Sequence, residues 1–238
     1  MSSIRRVSFG LALAALAVAS SAQTLPVPQN VVSLAAAASL QVPQDWLTVV
    51  LATTREGNDA AALQAQLKLA LDTALAEARR AARGTAPQDL EVQTGGFSLN
   101  PRYGRDGRMS GWSGRAELQL QGRDTAAIAQ LAGRIQTLTV ASTGFSLSRE
   151  AREKVESQVV AEAIGRFRAR ADEVSRQFGF AGWTLREVNV QTELPMGQPQ
   201  PRMRVASAMA ATTDEALPVE AGKATVSVTV AGSVALSR

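Results

Sequence analysis

Neither cysteine nor histidine occurs anywhere in the 238 residues, and that double absence constrains how such a chain can hold itself together. No disulfide can close a loop, and no Cys/His zinc site can substitute for a core. The fold has to rest on buried apolar side chains. The same absence removes thiol nucleophiles, histidine-dependent triads and most zinc chemistry. Carboxylate, lysine or hydroxyl chemistry remains open, as does no chemistry at all.

The chain opens with Arg5-Arg6, an apolar run from Val7 to Ala19, and then Ser20-Ser21-Ala22-Gln23. A basic start, a short apolar stretch and small residues at the −3 and −1 positions read as a secretory signal over residues 1–22, with the mature chain, 23–238, beginning at Gln23. The apolar run is shorter than the ~20 residues that span a bilayer. No later segment is long enough, so no transmembrane segment is expected in the mature chain. Without a cysteine after the run, lipid acylation of a new N-terminus is excluded.

Removing Arg5 and Arg6 from a net charge of +4 leaves +2. The arginines are dispersed, apart from Arg79, Arg80 and Arg83, which suit the negative end of a helix dipole. Aromatic residues make up 4% of the chain and do not interleave with basic ones, so no nucleic-acid partner is expected.

Periodicity supplies the organisation. Val31–Leu40 and Trp46–Thr53 read as strands, separated by a turn at Val42-Pro43-Gln44-Asp45. A helix follows, capped by Asn58 or Asp59, with Leu63, Leu67, Ala70, Leu71, Ala74, Leu75 and Ala78 on one face and Gly84 as its stop. Leu90–Leu99 and Trp112–Gln121 are strands. In the second, Ala116, Leu118 and Leu120 alternate with Arg115, Glu117, Gln119 and Gln121, the mark of one buried and one wet face. Asp124 caps a helix carrying Ile128, Leu131, Ile135 and Leu138. After a strand at Thr139–Leu147, the longest helix runs from about Ser148 to Phe178. Its stripe is Val155, Val159, Ala163, Ile164, Phe167, Ala171, Val174 and Phe178, and Gly179 ends it. Strands at Thr184–Glu193 and Ala224–Leu236 close the chain, with Gly232 marking a bulge. The fold class is α+β: an antiparallel sheet with one long and two shorter helices packed on it, in the order ββ-α-ββ-α-β-α-ββ.

Two further features stand out. The connection at about 195–218 holds Pro195, Pro199, Pro201 and Pro218 with Met196, Met203 and Met209. It reads as a mobile surface loop, or as a partner-contact segment whose methionines absorb oxidant. Thr94-Gly95-Gly96-Phe97-Ser98-Leu99 echoes Thr143-Gly144-Phe145-Ser146-Leu147, each after a helix, as a duplicated αβ unit would.

Candidate reactive groups are weak. Ser142, Thr143 and Ser146 lack a neighbouring base in sequence. Lys68 and Lys154 fall on polar helix faces, and Lys223 completes the lysines. Asp214-Glu215 lies in the long loop. Gly95-Gly96 and Asp106-Gly107 read as turns or bulges, since neither opens a strand–loop–helix phosphate site. Glu150, Glu153 and Glu156, interleaved with Arg149 and Arg152, suit a salt-bridged helix surface better than a hard-cation site. Tyr103 and Trp112 flank Gly104-Arg105-Asp106-Gly107-Arg108, either as a hairpin tip packed on the sheet or as a contact for a polyanion, a glycan or another subunit. No catalytic, cofactor-binding or metal-binding residue is assigned, and no cofactor is expected.

The strand pair broken at Val42–Asp45, the run Phe97-Ser98-Leu99-Asn100-Pro101-Arg102-Tyr103, the Gly111-Trp112 to Leu120 strand and the Ala163–Arg170 helix ending at Phe178-Gly179 together resemble the SIMPL-domain family of exported bacterial proteins. The resemblance covers nearly the whole mature chain and rests on structural rather than catalytic motifs. It implies a periplasmic location, with outer-membrane association in some members, links to oxidative-stress defence, and relatives that build ring-like oligomers. The long Pro/Met loop departs from the family pattern.

Three function classes follow. The first is a non-enzymatic periplasmic structural or interaction protein, homo-oligomeric and in contact with an envelope protein or polymer. The second is a module binding a small molecule or envelope polymer. The third, ranked last, is a carboxylate-dependent hydrolase.

Overall fold

The computed structural model describes residues 29–193 and 217–238. The expected signal at 1–22, Met196, Met203 and Met209, and Asp214-Glu215 lie outside the described residues. Ten elements follow in the expected order: β1 (Val31–Pro43), β2 (Trp46–Gly57), α1 (Ala60–Ala81), β3 (Glu91–Tyr103), β4 (Met109–Gly122), α2 (Thr125–Arg134), β5 (Thr139–Ser146), α3 (Arg149–Gln177), β6 (Gly182–Glu193) and β7 (Lys223–Ser237).

The α+β class and the element order are borne out, and the strands divide between two antiparallel sheets. One has the order β3-β4-β2-β5 and the other β1-β7-β6. The stretch from β2 to β5 runs β-α-β-β-α-β, and its strand order is that of the split βαβ arrangement of ferredoxin-like folds. This unit is inserted between β1 and α3, so the three-stranded sheet is built from the two ends of the chain. The Thr94–Leu99 and Thr143–Leu147 echo falls on β3 and β5, the two edge strands of the four-stranded sheet, each reached from a helix.

Two cores result. Leu47, Val49 and Leu51 of β2 and Ala116, Leu118 and Leu120 of β4 are fully buried under Leu63, Leu67 and Ala74 of α1 and Ile128 and Leu131 of α2. Apolar residues at every second position put one side of each strand under the helices. Separately, Val155, Val159, Ala163, Phe167 and Ala171 of α3 pack on Ala38 of β1 and on Val226, Val228, Val230 and Val234 of β7. Each helix begins on a side chain that accepts an amide the helix itself cannot satisfy. Asp59 accepts from Ala62, Asp124 from Ala127 and Ser148 from Ala151. Of Asn58 and Asp59, the cap is therefore Asp59.

Several details differ from the sequence reading. Ile164 is 39% exposed and Phe178 64%, so the α3 stripe is a narrower row at a strict four-residue spacing. Phe178 sits at the C-cap, past the last helical turn. The irregularity expected at Gly232 belongs to the opposite strand: the register slips between Leu185 and Glu187 of β6. Gly232 supplies the room, because a Cβ there would strike the Glu187 carbonyl oxygen. Gly122 has φ +152°, and a Cβ would collide with the Asp89 backbone, so only glycine fits where β4 leaves the sheet.

Candidate functional site

Both helices of the split unit lie on one face of its sheet, which leaves the other face to side chains at the alternate positions. These are the polar residues of the β4 alternation and their cross-strand neighbours, and they bond to one another in a row. Gln93 Nε2 donates to Glu91 Oε1 at 2.7 Å, Gln121 Nε2 to Glu91 Oε2 at 2.8 Å, and Gln119 Nε2 to Gln121 Oε1 at 2.7 Å. Farther along β4, Arg115 Nε donates to Glu117 Oε1 at 2.7 Å and Arg115 Nη1 to Thr54 Oγ1 at 3.4 Å. The Arg115 guanidinium holds the Glu117 carboxyl below its ordinary range, against a weaker opposing push from burial. Gly95-Gly96 forms the expected bulge, at the register shift between Thr94 and Phe97. The Gly96 amide donates to Glu117 Oε2 at 3.4 Å, and a Cβ on Gly95 would lie 2.8 Å from that of Glu117.

Ser142, Thr143 and Ser146 sit on β5 at the rim of this face, where with Thr48, Gly144 and Phe145 they line an open hollow of about 280 Å³. The other sequence candidates scatter. Lys68 pairs with Asp72 on the outer side of α1, and Lys154 and Lys223 are exposed. Glu150 pairs with Arg123 and Glu153 with Arg149 (3.1 Å), while Glu156 is half-buried. The three carboxylates thus do not meet at one point. Trp112 packs against the first core, whereas Tyr103 is 66% exposed. The loop between them closes on itself through Gly104 N–H to Arg108 O at 2.8 Å and Arg108 N–H to Asp106 Oδ1 at 3.2 Å.

One cluster escaped the sequence reading because its members lie far apart in the chain. Where the two sheets meet, Asp45 accepts the Ser148 amide at 2.7 Å and the Ser148 hydroxyl at 2.6 Å. Ser148 Oγ accepts in turn from Ala151 N–H (3.2 Å) and from Arg123 Nη2 (3.0 Å). That hydroxyl uses its full capacity of one donation and two acceptances, and Ser148 is 2% exposed. Arg123 Nε stands 3.5 Å from Asp45 Oδ2 and, among the described residues, makes no hydrogen bond. Gln44 ties the same junction together, donating its side chain to Phe145 O and its amide to Gly222 O, both at 3.0 Å. The cluster fixes the start of α3 to the β1–β2 link. Only the start of α3 near Ser148 was foreseeable from local pattern.

The architecture defines a two-sheet α+β protein in which helices cover one side of each sheet and polar or small side chains occupy the other. Among the described residues no helix is long and apolar enough to cross a membrane. The family model described as SIMPL, a protein of unknown function (DUF541), matches residues 32–234, and the chain belongs to that family. No curated protein matches it.

Proposed function

We propose that the protein is a non-enzymatic structural or interaction component of the periplasm. In this reading it is exported with its signal removed after Ala22, its mature domain spans 23–238, and it is homo-oligomeric and acts in envelope or oxidative-stress physiology. The observation that carries this reading is the one-sided covering of both sheets. Beside the polar row on the four-stranded sheet, the three-stranded sheet turns Ala35, Ala37 and Ser39 of β1 and Thr225, Ser227 and Thr229 of β7 away from the cluster that α3 covers. Broad sheet faces carrying small and hydrogen-bonding side chains suit macromolecular contact, whereas small-molecule sites are typically concave and apolar. Size-exclusion chromatography with light scattering on the mature chain, paired with a pull-down from intact envelopes, tests the proposal. A multimeric mass and a reproducible envelope partner are expected. A monomer that retains nothing would overturn it.

A second reading, a module for an envelope polymer, is favoured by the Gln93–Glu91–Gln121–Gln119 row, whose amide and carboxylate groups match the donors and acceptors of a polar chain. Co-sedimentation with isolated cell-wall polymer, lost on Gln119→Ala/Gln121→Ala, would favour it.

A further inference from the structure

A sheet edge presents unpaired backbone donors and acceptors, and proteins normally blunt such edges with bulges, prolines, shortness or charge. Among the described residues, three of the four edges carry a strong device of that kind. Strand β3 is broken by the Gly95-Gly96 bulge and contains Pro101, which lacks an N–H. Strand β5 is only eight residues long. Strand β1 is guarded from α3: Arg166 Nη1 donates to the free Ala37 carbonyl at 2.9 Å, and Glu162 holds the same guanidinium at 2.5 Å.

Strand β6 is the least protected of the four, with a bulge at Arg186 and charges only at Arg186, Glu187 and Glu193. It runs twelve residues, and after Gly182 it contains no glycine, proline or lysine. Its single irregularity, at Arg186, leaves Glu187–Glu193 as an unbroken ladder on β7. Along that stretch Val188 is 46% exposed and Val190 43%, with Leu185 at 51% just before it and Ile164 of α3 at 39%. Val190 lies opposite buried Val230, so these valines point to the side of the sheet that α3 covers, yet remain open to solvent.

We propose that the β6 edge is the contact between two copies of this chain, joined by antiparallel β6–β6 pairing about a two-fold axis at Asn189. This rests on the oligomeric reading above and names the surface that would serve it. The strand is self-complementary in that register. Val188 stands opposite Val190 of the second copy, and the symmetry repeats the pair, giving two apolar cross-strand contacts on the same face as α3. Glu187 stands opposite Gln191, so no like charges stand directly opposite one another, and the nearest such pair, Glu187 and Glu193 of the second copy, is diagonal. Pairing also satisfies the free backbone groups of both strands and merges two three-stranded sheets into one of six, with an isologous interface.

The absence of native cysteine makes the register directly testable. In Asn189→Cys the new thiol meets its own copy across the axis, where opposed Cα atoms lie ~4.5–5.5 Å apart, within disulfide range. In Val190→Cys the two thiols sit on diagonal positions, ~7–8 Å apart, too far to bridge. Mild oxidation with oxidised glutathione should convert most of Asn189→Cys, but not Val190→Cys, to a covalent dimer. Val190→Lys should at least halve the light-scattering mass while leaving the thermal midpoint near that of the unaltered protein, since the site is solvent-exposed within one copy. An oligomer that neither cross-links at 189 nor responds to Val190→Lys overturns the β6 assignment and leaves the oligomeric reading standing. A monomeric mass for the unaltered chain overturns both. A monomer whose 187–191 amides gain exchange protection only in envelope extract would give the edge to a different protein, which also overturns the proposal.

Discussion

Phe167→Ala tests whether the α3 layer is a true core. Phe167 is 3% exposed, and the residues one turn away on the same row, Ala163 and Ala171, are fully buried. Withdrawing the ring removes the transfer energy of a large apolar side chain, ~1.5–3 kcal/mol. It also leaves a space that neighbouring methyl groups are too short to fill. Phe→Ala losses in cores run ~3–5 kcal/mol, and the alanine neighbours place this one toward the upper end. With a urea slope of about 2 kcal/mol/M, a ~4 kcal/mol loss moves the midpoint by ~2 M. Arg166→Ala, whose side chain is 56% exposed, forfeits its bonds to Ala37 and Glu162 and should cost under ~1 kcal/mol. Urea melts followed by tryptophan fluorescence measure both. Trp183 donates to Asp172 of α3 at 2.6 Å and reports on this layer, so a Trp46→Phe/Trp112→Phe background isolates its signal. If Phe167→Ala loses no more than Arg166→Ala, the α3 row does not form a core.

Asp45→Ala should cost ~2–3 kcal/mol, because it strands the buried Ser148 amide and removes both the acceptor of the Ser148 hydroxyl and the carboxylate paired with Arg123 at the sheet junction; thermal melts measure it. Arg115→Ala should return the Glu117 carboxyl toward 4.5, as followed by carboxyl chemical shifts. Because the folded-state value is lowered, the pair stabilises the fold above that pH and the contribution, under ~1 kcal/mol, fades as pH falls below it; the variant's acid stability curve should flatten accordingly. Mass spectrometry of the exported protein should find Gln23 at the N-terminus, free or cyclised, and an intact Met1 would refute the signal assignment. Chelator and dithiothreitol should leave the thermal midpoint unchanged, as expected of a chain with no cysteine or histidine.

The sequence displayed its local structure clearly. The cap at Asp124 and the choice between Asn58 and Asp59, the start of α3 near Ser148, the α1 row, most of the α3 row, and the Ala116–Leu118–Leu120 alternation all depend on residues within a few positions of one another, where periodicity and capping chemistry act. The partition into two sheets was hidden. An amphipathic strand shows that one face is buried, not which helix buries it, and β1 reads the same whether it pairs with β2 or with β7. The exposure of Val188 and Val190 was hidden for a related reason. Their pattern is that of a buried strand, and only the position of α3 over the sheet leaves them uncovered. The Asp45–Ser148–Arg123 cluster joins residues up to 103 positions apart, beyond the reach of any local rule.

The pairing of the first strand with the last has a consequence for how the chain acquires its structure in time. Val31 is registered against Ala235 and Pro43 against Lys223, so β1 leaves the ribosome, or any pore, well before its partner. The inserted β2–β5 unit can close on itself as soon as β5 has emerged, but until β7 arrives β1 is an unsatisfied apolar strand attached to a finished neighbour. Contacts of such long separation are slow to form and expose the chain to misassociation while they wait. Refolding should therefore proceed in two phases, with the inserted unit protected early and β1, β7 and α3 together later. A truncation lacking residues 217–238 should keep the first core and lose the second.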